Sequence, residues 1–148
     1  MKALLRNAAA VFVGLLVLFV LVTAVEVVTL ALHPYPENFT HTMEEVCQHV
    51  ERFPAWILGL AAGAWAISAY LSTWVTRRMG SPYSAAVVGV LLLAALFGNL
   101  AMLPYPEWFK ATAGIAVFVA TAFAIFSRTN RSSPVVETPL PCEQTPPA

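Results

Sequence analysis

Glu26 is the acidic residue of this chain that is the strongest candidate for a chemical role, because long apolar runs flank it. A charge at the centre of a bilayer costs at least ~2.5–3.5 kcal/mol, so such an acid is neutral, paired or functional. Asn99 lies within about one helical turn of the same depth, and Thr29 lies in the same leaflet. Two interpretations stay open: a proton or cation site, or a neutral acid that hydrogen-bonds between helices. The scarcity of other polar groups favours the second, with Glu26 and Asn99 as the bonded pair.

A second candidate set is His41, Glu45 and His49, which recur every four residues and would line one face of a helix. Two histidines and a carboxylate are plausible zinc ligands. However, Thr42 followed by Glu45 resembles a capping box, and a helix that begins at Thr42 leaves His41 outside. An exposed short helix also lacks a fourth ligand and second-shell support. The sequence therefore predicts no tightly bound metal.

Other chemistry is not indicated. The chain has no Ser/His/Asp set, no paired catalytic carboxylates, no P-loop and no dinucleotide-binding fingerprint, so we predict neither an enzyme nor a cofactor. Cys47 and Cys142 define no disulfide framework. The net charge of zero includes no basic patch, which argues against nucleic acid as a partner.

Four long apolar segments must position these residues, at about 8–32, 55–76, 83–103 and 108–126. The chain is 59% hydrophobic and 11% charged, whereas soluble domains are about a quarter charged. Each segment can cross a hydrocarbon core of about 30 Å as a helix. We therefore predict an all-α transmembrane four-helix bundle over residues 1–126, within the lipid bilayer. The Pro-rich remainder, 127–148, is predicted to be a disordered cytoplasmic tail.

The charges predict an orientation for these four segments. Six basic residues fall on one side of the zigzag: Lys2, Arg6, Arg77, Arg78, Arg128 and Arg131. Five acidic residues fall on the other: Glu37, Glu44, Glu45, Glu51 and Glu107. The positive-inside rule then places both termini in the cytoplasm of a bacterial inner membrane, with the loop 33–54 outside. Cleavage of the first segment as a signal peptide is disfavoured, because its apolar run continues past Glu26.

The outer loop and the small residues predict finer features. In the loop, Met43, Val46, Val50 and Phe53 recur at helical spacing, which indicates a short amphipathic helix on the membrane or over the bundle. Gly59 and Gly63 form a GxxxG pair, and Ala94 and Gly98 form a second small-residue pair. Such residues let helices approach closely, and we expect both pairs to pack the bundle against itself.

Residues 29–39 and 99–109 repeat each other, with seven of eleven positions identical. The shared part includes Pro34, Tyr35 and Pro36 in the first copy and Pro104, Tyr105 and Pro106 in the second. Convergence on a helix stop with an interfacial Tyr is one explanation. Duplication of a helical hairpin is the explanation we favour, and either one places Tyr35 and Tyr105 at the same level.

The segment Asn99-Leu-Ala-Met-Leu-Pro-Tyr-Pro-Glu-Trp-Phe109, with Glu26 and Pro34-Tyr35-Pro36, resembles a family of small four-helix bacterial membrane proteins of unknown function. Leu30 stands where such proteins carry a His. The resemblance implies the four-helix topology and no activity. We expect a structural or accessory membrane subunit that binds other membrane proteins or itself; the alternative is a small transporter or cation-binding protein that uses Glu26.

Overall fold

A computed structural model describes residues 1–37 and 39–127, and these residues are helical apart from short connections. The helices are α1 (Lys2–Leu32), α2 (Met43–Glu51), α3 (Ala55–Met79), α4 (Pro82–Met102) and α5 (Glu107–Phe126). Beyond Ser127, the predicted tail and its Cys142 lie outside the described residues.

Four of the helices, α1, α3, α4 and α5, are long and apolar enough to cross a membrane. The predicted all-helical class with four candidate spans is therefore confirmed. Helix α1 has 31 residues and is about 46 Å long, which exceeds the roughly 30 Å of a hydrocarbon core. It begins at Lys2 rather than at residue 8, so its first turns carry the basic residues Lys2 and Arg6.

Capping side chains begin two of the helices, and the first of them, Thr42, is the cap that the sequence predicts. Thr42 Oγ1 accepts a hydrogen bond from the Glu45 N–H (3.4 Å), and α2 starts there. Ser81 Oγ likewise accepts from the Ser84 N–H (3.3 Å) at the start of α4. The Glu45 carboxylate does not bond back to Thr42, as a capping box would; it accepts at 2.7 Å from both the N–H and the hydroxyl of Thr40.

The two repeated segments end their helices in the same way. The N–H of His33 donates to the Thr29 carbonyl at the end of α1, and the N–H of Leu103 donates to the Asn99 carbonyl at the end of α4. Each helix therefore stops two residues before its first proline, which cannot donate a further bond. Duplication of a whole hairpin stays a prediction. A two-fold axis between duplicated hairpins would relate α1 to α4 and α3 to α5, so the contact of α3 with α4 would recur between α5 and α1. Helix α3 does pack against α4, but α1 and α5 are not in contact within the described residues.

Helix α3 lies at the centre of the packing, in contact with α1, α4 and α5. Its inward face packs with α4 and α5 in one hydrophobic core. The core consists of Leu58, Ala62, Ala69, Leu92, Leu96, Leu100, Phe109, Ala113 and Val117. Towards the basic end, buried hydroxyl side chains replace the apolar ones. The hydroxyls of Ser72 and Thr76 donate to carbonyls of their own helix, so they pack without an unpaired donor.

The small residues that pack the helices are not the predicted ones. Gly59, Gly63, Ala94 and Gly98 are all exposed on the outside of the helices, and a Cβ added to any of the three glycines would meet nothing. Close approach occurs instead at Gly14, against Thr76, at Gly80, against Ala10, and at Gly89, against Thr121. In a span that is apolar all round, sequence spacing does not show which face turns inward, and Leu58 and Ala62 take the inward face of α3.

Gly80 offers a direct stability test of this packing. A Cβ at Gly80 would lie 2.8 Å from Ala10 Cβ, which has no rotamer by which to move away. Gly80→Ala is therefore expected to destabilise the protein by about 1–3 kcal/mol. Gly63→Ala, which adds a Cβ in open space, is the control and should be as stable as the parent or slightly more stable, because Gly in a helix interior is less favourable than Ala. Thermal denaturation of both variants in one detergent measures the difference, and equal midpoints would contradict this packing.

Candidate functional site

Glu26 lies on the wall of a cavity of about 210 Å³ at the acidic end of the helices. Helices α1, α3 and α4 form its sides, and α2 with the following Phe53 covers it. The chemically important lining residues are Glu26, Thr29, His33, Tyr35, His49, Trp65, Asn99 and Tyr105. The apolar face of α2 therefore covers this cavity, which decides between the two placements that the sequence left open.

A second cavity, of about 250 Å³, adjoins the first. Both are lined by Glu26, Trp65 and Asn99, so these three residues mark where the cavities meet. The rest of the second cavity is aliphatic: Leu18, Val22, Leu92, Ala95, Leu96 and Val117. It lies between α1 and α4, and because Glu26 and Asn99 are both exposed, this side opens laterally between the two helices.

The structure brings Glu26, Thr29 and Asn99 to one cavity, but it does not join them. Among the described residues, no hydrogen bond or ion pair involves the Glu26 carboxyl or the Asn99 amide. The predicted hydrogen bond between Glu26 and Asn99 is therefore not formed in this structure. Both side chains line the second cavity, between α1 and α4, and neither bonds to the other.

Tyr105, in the connection between α4 and α5, contributes an aromatic side chain with a hydroxyl to the wall of the first cavity. Burial, with a smaller contribution from the neighbouring Glu26, raises the pKa of Tyr105 to about 12. The phenol therefore stays protonated at any physiological pH and can donate a hydrogen bond into the cavity. Its ring packs on Phe109, with the ring centroids 4.8 Å apart, and Phe109 packs on Trp65 at 5.7 Å. Tyr35 lines the same cavity. That the two tyrosines lie at the same level stays a prediction.

A stacked pair of histidines forms the cover of the cavity. The rings of His33 and His49 are 4.6 Å apart at an interplanar angle of 28°. Tyr35, Phe39 and Phe53 pack around His49, which is 8% exposed. Burial lowers the pKa of His49, and the nearby His33 and Arg52 lower it further. His49 is therefore neutral at pH 7.

The candidate metal set His41, Glu45 and His49 does not converge. His41 lies outside α2 with φ of 59°, while Glu45 is bonded to Thr40 and His49 turns under the helix to His33. Within residues 1–37 and 39–127, no three His, Cys or acidic residues are arranged to hold a metal ion. The absence of a tight metal stays a prediction.

Two members of the site had sequence signals that our interpretation did not use. Trp65 lies in mid-span, away from both interfacial belts where Trp is usually found, so it needs another reason to be there. His33 follows Glu26 by seven residues, about two helical turns, and is the residue directly after α1. Together these positions indicate a polar and aromatic site near the acidic end of the spans.

Comparison with protein-family models, with curated proteins and with solved structures found no match.

Proposed function

We propose that the protein is an integral membrane protein that binds a cationic ligand at Glu26. The observation that supports this most is that Glu26 faces two adjoining cavities and has no partner among the described residues. An acid in a membrane span is costly and is usually paired or functional. Had its role been interhelical bonding, Glu26 would contact Asn99 or Thr29, and the cavities would be filled. A cation that enters the cavity supplies the missing partner.

A cation-binding comparison of two Glu→Gln variants tests the proposal. The purified protein in nanodiscs is titrated with sodium, potassium, ammonium and tetramethylammonium chlorides at constant ionic strength, and binding is measured by isothermal titration calorimetry. At least one cation is expected to bind and to lose tenfold or more in affinity in Glu26→Gln, because the amide keeps the shape but removes the charge. Glu37→Gln, an exposed acid outside the cavity, is the control and should bind like the parent. Equal binding by Glu26→Gln and the parent would refute the proposal.

A second candidate function, the accessory subunit expected from the sequence, is supported by the outward-facing glycines. Gly59 and Gly63 on α3 are exposed, and a neighbouring helix could pack closely against them. In that case Gly63→Leu should abolish co-purification of a defined membrane partner while leaving the monomer as stable as the parent. Unchanged co-purification would remove this support.

We also propose a bacterial inner-membrane location with both termini in the cytoplasm. Lys2, Arg6, Arg77 and Arg78 support this orientation through the positive-inside rule. The Arg77 Nε donates to the Ile125 carbonyl (3.4 Å), so the basic end of α3 and the end of α5 lie together.

Cysteine labelling in intact cells should test this orientation. In a Cys142→Ser background, a membrane-impermeant maleimide is expected to label Cys47 on α2 from outside. Met79→Cys, placed at the basic end of α3 in a chain that also lacks Cys47, should react only after permeabilisation. Labelling of the second variant in intact cells would reverse the topology.

A further inference from the structure

The residues around Glu26 discriminate between kinds of cation, and this inference rests on the proposed function. A metal cation such as Ca²⁺ or Mg²⁺ needs about six oxygen ligands, and the first cavity offers one carboxylate with a few neutral oxygens. Aromatic rings outnumber acidic groups in the lining of the first cavity, and they include those of Trp65, Tyr105 and Phe109. Aromatic faces attract ammonium groups, and Trp does so most strongly. The chemistry of the first cavity therefore fits an organic ammonium better than a metal ion.

The second cavity adds an apolar extension to this head-group site. It begins at Glu26, Trp65 and Asn99 and continues between α1 and α4 along aliphatic side chains such as Leu18, Val22 and Leu92. Its lateral opening leads to the membrane, where an aliphatic chain is as well solvated as in the cavity. A ligand with a chain can therefore enter from the lipid without exposing that chain to water.

We propose that the ligand is an amphipathic alkylammonium, with its head group between Glu26 and Trp65 and its chain in the cavity between α1 and α4. A free amphiphile fits better than an amine-headed phospholipid. The phospholipid would bring a phosphate next to Glu26, and the first cavity has no Lys or Arg to face it.

A chain-length series of alkyltrimethylammonium ions, from methyl to hexyl, tests this proposal. Binding of each ion to the protein in phosphatidylglycerol nanodiscs is measured by equilibrium dialysis as a function of its free aqueous concentration. Nanodiscs that carry Glu26→Gln measure the ion taken up by the lipid, and this amount is subtracted. Affinity should rise by up to about fourfold per added methylene, because each one leaves water for the cavity. Ala95→Phe, which fills the second cavity, should weaken hexyltrimethylammonium at least tenfold and leave tetramethylammonium within threefold of the parent. The control Ala94→Phe, on the outward side of α4, should behave like the parent throughout.

The outcomes separate this inference from the proposed function. Glu26-dependent binding of sodium or tetramethylammonium with no gain along the series overturns the inference alone. No Glu26-dependent binding of any cation overturns both. A gain along the series that Ala95→Phe does not diminish places the chain elsewhere and also overturns the inference. Loss of binding in phosphatidylethanolamine nanodiscs would show that the amine-headed lipid is the ligand, and would overturn the choice of a free amphiphile.

Discussion

Replacing Phe109 with alanine is expected to destabilise the protein by about 3–5 kcal/mol, the usual cost of removing a buried phenylalanine. Phe109 is fully buried and is among the largest side chains in the core. It packs at once on Trp65, Tyr105 and Trp108, so no single neighbour can move to fill the space. Because Phe109 also lines the first cavity, the same change removes the support behind Trp65.

Two companion variants isolate the effect. Phe118→Ala removes the same atoms from the same helix, but Phe118 is 58% exposed and should cost little. Phe109→Leu retains most of the buried volume and should fall between the parent and Phe109→Ala. Reversible unfolding in mixed micelles measures all three. Equal stability of Phe109→Ala and Phe118→Ala would mean that the aromatic cluster does not hold α3 and α5 together.

The elements with local signals could be predicted from the sequence. Proline ends α1 and α4, a side-chain oxygen caps α2 and α4, and the apolar lengths give the spans, because each of these effects acts within a few residues. The amphipathic helix α2 was also predictable, because its two faces meet surroundings of different polarity. Water covers one side and the helices cover the other, so the spacing of Val46 and Val50 indicates the inward face. Val50 is buried and Val46 half-buried there, whereas Met43, predicted on the same face, is exposed.

The inward faces of the spans could not be predicted, and the errors at the site follow from that. Lipid is as apolar as a protein core, so Leu58 on the inside and Leu60 on the outside have the same chemistry. A GxxxG spacing therefore did not show whether Gly59 and Gly63 face α1 or the membrane. For the same reason, matched depth was not enough to place Glu26 against Asn99. The hydroxyl residues Ser72, Thr73 and Thr76 of α3 are buried and carried an inward signal, whereas Thr23 on α1 and Thr112 on α5 are exposed.

The docking of α2 over the cavity is expected to weaken as the pH falls below about 6.5. Burial lowers the pKa of His49 from its ordinary value, so the docked helix holds the neutral imidazole. A released α2 would expose His49 to water and restore its ordinary pKa. The released state therefore binds more protons, and by linkage the docked state is favoured fully above pH 6.5 and progressively less below it.

Local mobility of α2 measures this release. A spin label at Gln48→Cys, an exposed position on α2, in a chain without Cys47 and Cys142, should become more mobile between pH 7.5 and 5. His49→Gln should remove most of that change, because the replacement cannot be protonated. His41→Gln, which alters an exposed histidine outside α2, should leave it intact. If α2 is released in this way, the first cavity loses its cover and opens to the water at the α2 end of the spans, and the affinity for an alkylammonium should fall with the same midpoint. Two results would show that the histidine pair does not control the docking of α2: a spin-label mobility that does not change between pH 7.5 and 5, or a change of the same size in His49→Gln.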